Sequence, residues 1–243
     1  MAGSEDVAIE LEHSIGFSAA VYNGIHWHPN RRDYVYPAGA CVVICDFTDP
    51  HNQHFLRGHD NIVSCVALSK SGRLVASGQV GDNADVILWD FETRELLYRF
   101  EEHDFGVGCL AFSDDERLLV TCGNAKDKSM IVWDLSTWVL CSLPELVDPL
   151  PSLSVKFGGM VKNVKRRETD QYQLATAGNR HIKFWALDPK SGSLASTQVT
   201  TSSAFNRDFT CLLFTTDREW LYGGTSSGDV ACINVRPPPR FSP

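Results

Sequence analysis

The chain has 243 residues, a formal net charge of −8 and 43% hydrophobic side chains. That hydrophobic content is ordinary for a globular protein and excludes an intrinsically disordered chain. The acidic balance argues against general nucleic-acid binding, because a basic surface supplies most of the affinity there. No apolar run reaches the roughly 18 residues that cross a bilayer, and the acidic start does not resemble a secretion signal. We therefore expect a soluble, intracellular protein with neither a nucleic-acid nor a membrane partner.

Short β-branched runs bounded by Gly, Asn and Asp follow one another along the chain, and they predict strands rather than helices. Five of them are alternating, strand-like runs, and in chain order they are residues 41–45, 85–89, 129–133, 181–185 and 229–233. Upstream of the later four lies a second apolar run that ends in small residues. No segment has helical periodicity. The chain is therefore predicted to be all-β.

Two stretches, 58–90 and 102–134, repeat each other. In each, a histidine is followed 18 residues later by a hydroxyl residue and 30 residues later by a Trp-Asp pair. The residues are His59, Ser77 and Trp89 in the first stretch and His103, Thr121 and Trp133 in the second. A period of about 40–45 residues marked by Gly-His and Trp-Asp is typical of the WD40 β-propeller blade, a four-stranded sheet. The pattern predicts a WD40 β-propeller.

Aligned on the Trp-Asp position, the chain divides into about five recognisable repeats, which end near residues 46, 90, 134, 186 and 234. We expect a tail over 1–12 that could supply a closing strand, blades over 13–235 and a Pro-rich tail over 236–243. Seven blades need about 280–315 residues, which is more than this chain has, and the prolines of the last tail cannot donate ladder hydrogen bonds. Either five blades close into a small ring, or the chain is a fragment of a seven-bladed propeller. We favour the fragment.

The repeated polar residues predict a buried hydrogen-bond network in each of the two blades. A buried histidine that donates to a carboxylate, with the hydroxyl and the indole N–H completing the set, satisfies every polar group. The first network comprises His59, Ser77, Trp89 and Asp82, with Asn83 as the alternative to Asp82; the second comprises His103, Thr121, Asp127 and Trp133. A Ser-His-Asp catalytic site is the competing interpretation of the first set. The duplicated spacing and the missing Gly-x-Ser-x-Gly motif argue against it, so no catalytic residue is predicted.

Histidines and cysteines near the start of the chain are the candidates for a metal site. They are His26, His28, His51, His54, Cys41 and Cys45. Their spacing matches no standard zinc pattern, so we interpret them as core and loop residues and predict no metal and no cofactor. Cys65, Cys109 and Cys211 recur at one strand position and are predicted to be packed, unpaired thiols.

One dense basic cluster stands out in the sequence, in the insertion that lengthens the fourth repeat. Its residues are Lys162, Lys165, Arg166 and Arg167, with Lys156 upstream. A solvated hairpin is one interpretation of this cluster. The other is a contact for an acidic partner surface, where electrostatics would raise the rate of encounter.

Several short motifs carry a resemblance to one protein family. They are Ile15-Gly-Phe17, His28-Pro29, Tyr36-Pro37, Gly58-His59, the Ser-Gly-Gln-Val at 77–80 and Ile87-Leu-Trp-Asp90. They resemble the amino-terminal part of the cilia- and flagella-associated WD40 proteins of the doublet-microtubule inner protein group. The resemblance covers roughly residues 7–235 and is strongest from 55 to 135. It implies two tandem seven-bladed propellers without catalytic activity, bound in the lumen of axonemal doublets to tubulin and neighbouring inner proteins.

We therefore expect a non-enzymatic scaffold that stabilises the doublet microtubules of cilia and flagella. We expect it to be located in the cytoplasm and cytoskeleton, in the axoneme of cilia and flagella. The basic cluster is the candidate contact that offsets the acidic charge of the chain. The alternative is a general WD40 adaptor in ubiquitin ligation, trafficking or centriole assembly.

Overall fold

The computed structural model describes residues 11–16, 21–137, 139–142, 152–163, 165–198 and 207–235. In that part of the chain every regular element is a β-strand, which confirms the all-β prediction. None of its residues forms a helix long and apolar enough to span a membrane. Residues 1–10 of the tail expected over 1–12, and all of the tail expected over 236–243, lie outside the described residues.

Nineteen strands in the described residues form five antiparallel sheets. The first sheet contains β1 (His26–Trp27), β2 (Asp33–Ala38), β3 (Cys41–Asp46) and β4 (Gln53–Arg57). The second contains β5 (Val63–Leu68), β6 (Leu74–Gln79), β7 (Ala84–Asp90) and β8 (Leu96–His103). The third contains β9 (Val107–Phe112), β10 (Leu118–Gly123), β11 (Met130–Asp134) and β12 (Val139–Ser142). The fourth contains β13 (Ser152–Lys162), β14 (Glu168–Gly178), β15 (His181–Leu187) and β16 (Leu194–Gln198), and the fifth β17 (Phe209–Phe214), β18 (Trp220–Thr225) and β19 (Val230–Asn234).

The sheets stand side by side as the blades of a propeller. Within each sheet the strands are ordered as in the chain. The first strand of one sheet contacts the first strand of the next, so that β5 meets β9, β9 meets β13 and β13 meets β17. The first strands therefore lie nearest a common axis, and a cavity of about 20 Å³ lies between them. Five sheets in this arrangement confirm the predicted propeller architecture.

Apolar layers between consecutive sheets form the core. Between the first two sheets, Ile44 and Leu56 pack with Ile87 and Trp89, and every one of these side chains is buried. Such burial is worth about 1.5–3 kcal/mol for each large apolar side chain. The core of this propeller is thus divided among the gaps between its blades.

The outer face of the fifth sheet is uncovered. Leu213 pairs with Tyr222 in this sheet as Ala111 pairs with Val120 in the third sheet. Ala111 and Val120 are buried against the fourth sheet, whereas Leu213 is 66% exposed and Tyr222 39% exposed. Positions that bury an apolar layer elsewhere in the fold therefore face solvent here.

The turns between the first and second strands repeat one geometry. In all five, the N–H of the fourth turn residue donates to the carbonyl of the first, at 28–31, 69–72, 113–116, 163–166 and 215–218. Side chains also link these turns. Ser71 Oγ in the second sheet donates to the Glu116 carboxylate in the third at 2.9 Å, and Arg218 in the fifth sheet forms an ion pair with Asp114 in the third. These turns therefore share one end of the propeller, which we call the first-turn end. The turns between third and fourth strands lie at the same end, since the strands are antiparallel.

The opposite end carries the turns between second and third strands, and we call it the second-turn end. There Val63 N donates to Gly39 O at 2.8 Å, and Asn124 N donates to Gly106 O at 2.7 Å. The fold thus presents two distinct ends to partners.

Candidate functional site

The second sheet holds a buried polar network around Ser77. His59 lies in the loop before β5, Ser77 on β6 and Trp89 on β7. The Ser77 hydroxyl lies 2.7 Å from His59 Nε2 and accepts the Trp89 indole N–H at 2.9 Å. Burial lowers the pKa of His59, which favours the neutral ring. The structure brings these three predicted residues together.

Asp82 does not belong to that network, and the expectation for it was wrong. The side-chain oxygen Oε1 of Gln79 lies 2.7 Å from His59 Nδ1, and Gln79 Nε2 donates to the Asp60 carboxylate at 2.5 Å. Gln79 is the last residue of β6, two positions after Ser77, so both side chains lie on one face of the strand. Asp82 comes later, in the exposed turn, as does Asn83. The same-face spacing of Ser77 and Gln79 is the sequence signal that could have identified this glutamine.

The third sheet holds a second network, around Thr121. His103 Nε2 lies 2.8 Å from the Thr121 hydroxyl, and His103 Nδ1 lies 3.0 Å from an Asp127 carboxylate oxygen. The Trp133 indole N–H reaches the same hydroxyl at 3.5 Å. All four predicted residues therefore meet, with a weaker indole contact than in the second sheet.

The pKa of Asp127 reflects its place in this network. Burial by itself would raise the pKa of a carboxyl group. Hydrogen bonds from His103, from Ser129 and from the Phe105 N–H outweigh burial and lower the pKa of Asp127 to about 2. Asp127 therefore stays ionised at neutral pH and holds the turn between β10 and β11 to the end of β8.

These networks offer no path to a substrate. Ser77 and Thr121 are both 0% exposed, and the Ser77 oxygen is engaged by His59 and by Trp89. A nucleophile must reach the carbon that it attacks, so a wholly buried hydroxyl cannot act in this conformation. In each of the two blades, the network holds the histidine-bearing segment before the first strand to the second and third strands.

The early histidines and cysteines are spread over the first sheet and its turns. His26 Nε2 lies 2.8 Å from the Val66 carbonyl, and the His28 ring stacks on Phe91 at 3.9 Å. Among the described residues, no group of three His, Cys, Asp or Glu side chains is placed to hold a metal ion. Burial raises the pKa of the Cys65 thiol to about 12, which is expected of a packed side chain.

The basic cluster lies at the first-turn end, on the hairpin between β13 and β14. Lys165, Arg166 and Arg167 are exposed, and the Lys162 ammonium reaches the carbonyl of Asp217 at 3.5 Å. Lys156 is separate from them, because it lies partly buried beside the axial cavity. The cluster is thus an exposed, charged projection of the fourth blade.

Comparison with known proteins decides the nature of the repeats. The family model described as "WD domain, G-beta repeat" matches residues 51–90 and 94–134. The chain carries WD40 repeats. One chain of a solved structure, the "Crystal Structure of Mitotic Checkpoint Complex", shares the fold with a TM-score of 0.70 over 87% of this chain and 60% of that chain. The two are 17% identical, so this likeness shows the fold alone.

Proteins named for cilia and flagella are similar to this WD40-repeat chain over most of its length. Cilia- and flagella-associated protein 52 of Chlamydomonas reinhardtii is 36% identical over 227 residues, which is 92% of this chain and 35% of that protein. The Bos taurus protein of the same name is 35% identical over 96% of this chain and 36% of its own length. The chain thus spans about a third of the relatives that it matches. The predicted resemblance to a cilia- and flagella-associated WD40 protein is confirmed.

A shorter match involves another repeat protein. WD repeat-containing protein 90 of Homo sapiens is 35% identical over 92 residues, which is 38% of this chain and 5% of that protein. This similarity covers a limited part of both chains.

Proposed function

We propose that the chain is part of a non-enzymatic scaffold in the axonemes of cilia and flagella. The observation that carries this proposal is the similarity to Cilia- and flagella-associated protein 52, which extends over 92% of the chain in the algal protein and 96% in the bovine one. Similarity at that coverage includes all five blades rather than the two repeats that match the general family model. The buried networks support a structural role, because their reactive groups are enclosed.

The specific role that we propose is to brace doublet microtubules from within, in contact with tubulin and neighbouring inner proteins. A propeller suits this task because its two ends are broad and rigid. Binding would rest on many modest contacts spread over an end, with a few anchoring side chains, rather than on one deep pocket. Lys162, Lys165, Arg166 and Arg167 are the candidate anchors, since they project from the first-turn end of an otherwise acidic protein.

We also propose that a further blade covers the open face of the fifth sheet, as in a seven-bladed ring. The register equivalence of the exposed Leu213 with the buried Ala111 supports this proposal. An uncovered apolar sheet face is an aggregation hazard, which a neighbouring blade removes.

Fractionation of axonemes tests the proposal. A tagged form of the chain would be expressed in ciliated cells, and axonemes would be stripped of membrane and matrix with detergent and then washed with high salt. We expect the chain to remain with the doublets. Recovery in the soluble fraction, with equal expression in cells that lack cilia, would instead support a general WD40 adaptor.

A further inference from the structure

The first strands of four blades line the small cavity at the axis. His26 of β1, Val66 of β5, Leu110 of β9 and Lys156 of β13 all contribute to its wall. Its volume is about 20 Å³, which is room for one water molecule or for one ion of similar size. An occupant of the cavity therefore lies between the first four blades.

Ser154 brings an unpartnered hydroxyl group to this cavity. The residue lies on β13 and is 2% exposed, and its Oγ has no hydrogen-bond partner among the described residues. Buried polar groups in folded proteins almost always have a partner, and an exception calls for an explanation such as a bound water or ion. The Ser154 hydroxyl is thus available to donate a hydrogen bond to whatever occupies the cavity.

Lys156 brings a positive charge that no carboxylate offsets. It lies two residues after Ser154 in a regularly paired stretch of β13, so both side chains leave the same face of the strand. Lys156 is partly buried, and no ion pair or hydrogen bond engages its ammonium group in the part of the chain that the structure describes. Burial lowers the pKa of Lys156, because the charge is costly there. No acidic residue lines the cavity among the described residues.

The histidine and the two cysteines that line the cavity are uncharged at neutral pH. Burial, together with the charge of Lys156, lowers the pKa of His26 to about 4. Burial raises the pKa of the Cys65 thiol to about 12. A hydrogen bond with Cys122, together with burial, raises the pKa of the Cys109 thiol. Lys156 is therefore the charged group of this site.

We propose that the axial cavity binds one halide ion, such as chloride, between Lys156 and Ser154. The ammonium supplies the opposite charge and the hydroxyl supplies a hydrogen bond. A single monoanion matches the single positive charge, and the apolar side chains of Val66 and Leu110 strengthen the attraction by lowering the local dielectric constant. A water molecule fits the cavity and satisfies the hydroxyl, but it leaves the ammonium without a counter-charge. Sulfate, phosphate and organic carboxylates are larger than the cavity.

Thermal unfolding in chloride and in gluconate, at equal ionic strength, tests the site. Gluconate is too large to enter the cavity. For the purified chain, sodium chloride at about ten times its dissociation constant should raise the melting temperature by about 3–5 °C relative to sodium gluconate. Lys156→Met removes the charge at similar side-chain length and should abolish this difference. Ser154→Ala should weaken the chloride affinity about two- to tenfold, because one hydrogen bond is lost.

Two comparisons separate loss of the ion from loss of the fold. In gluconate, Lys156→Met and Ser154→Ala should melt no lower than the unmodified chain, because each removes an unpartnered polar group. Lys165→Met, at an exposed lysine of the hairpin between β13 and β14, is the matched control and should keep the full effect of chloride.

Chloride NMR line width gives a readout that does not depend on stability. The unmodified chain and Lys165→Met should broaden the chloride signal, whereas Lys156→Met should not. An equal effect of chloride on the unmodified chain and on Lys156→Met would overturn the assignment. So would the absence of any effect on the unmodified chain, which would leave a water molecule as the occupant.

Discussion

Removal of the Ser77 hydroxyl should destabilise the second blade more than removal of the Thr121 hydroxyl destabilises the third. Ser77→Ala leaves His59 Nε2 and the Trp89 N–H without partners at contacts of 2.7 and 2.9 Å, in a site that is wholly buried. Each buried group left unpaired costs about 1–3 kcal/mol. We therefore expect a loss of about 2–4 kcal/mol in the free energy of unfolding. For a domain of this size the melting temperature should fall by roughly 5–15 °C.

Thr121→Val is the comparison, because it conserves shape and removes one oxygen. His103 loses a contact of 2.8 Å, whereas the Trp133 indole loses one of only 3.5 Å, so we expect about 1–3 kcal/mol. Equilibrium urea unfolding followed by tryptophan fluorescence measures both variants, with the exposed Ser226→Ala as control. Ser77→Ala within ~0.5 kcal/mol of the unmodified chain would refute the view that these hydroxyls hold the blades together.

Three other predictions follow from the geometry. In urea unfolding, Gln79→Ala should lower the free energy of unfolding by about 1–3 kcal/mol and Asp82→Ala by less than ~0.5 kcal/mol. A larger loss for Asp82→Ala than for Gln79→Ala would show that Asp82, and not Gln79, belongs to the network. The lowered pKa of Asp127, about 2 against an ordinary 3.8, stabilises the fold above pH 4. About 2 kcal/mol should be lost as the pH falls towards 2, and urea midpoints of Asp127→Asn should lack this component; identical pH profiles would contradict it. Ala111→Glu should cost about 3 kcal/mol or more, whereas Leu213→Glu at the same register position should leave the urea midpoint unchanged; equal losses would show that the fifth face is already covered.

The propeller architecture could be predicted from sequence because each blade repeats a local pattern. Strand runs, turn residues and the spacing of His103, Thr121 and Trp133 all report contacts that recur at fixed offsets. The prediction failed at Asp82 because a carboxylate was expected by analogy with Asp127. Strand β6 extends to Gln79, and the Gln79 side chain bonds to His59 in the place that was expected for Asp82 in the following turn.

The grouping of turns at the first-turn end was not predictable in the same way. Arg31, Arg94 and Arg166 are far apart in sequence, and only the packing of the blades places their turns at one end. Their left-handed backbone also leaves no trace in composition, because the equivalent turn positions accept Gly72 and Gly192. The dense run at 165–167 was visible in the sequence, but the turns of other blades that share its end required the structure.

Zero-length cross-linking of isolated doublet microtubules tests the central claim most directly. Carbodiimide joins a lysine to a carboxylate only when the two are in contact, and Lys165 is exposed on the first-turn end. Mass spectrometry of salt-washed doublets should identify cross-links between Lys165 and carboxylates on the luminal side of tubulin or of a neighbouring inner protein. Absence of the chain from the washed doublets, or cross-links confined to the outer microtubule surface, would contradict the account.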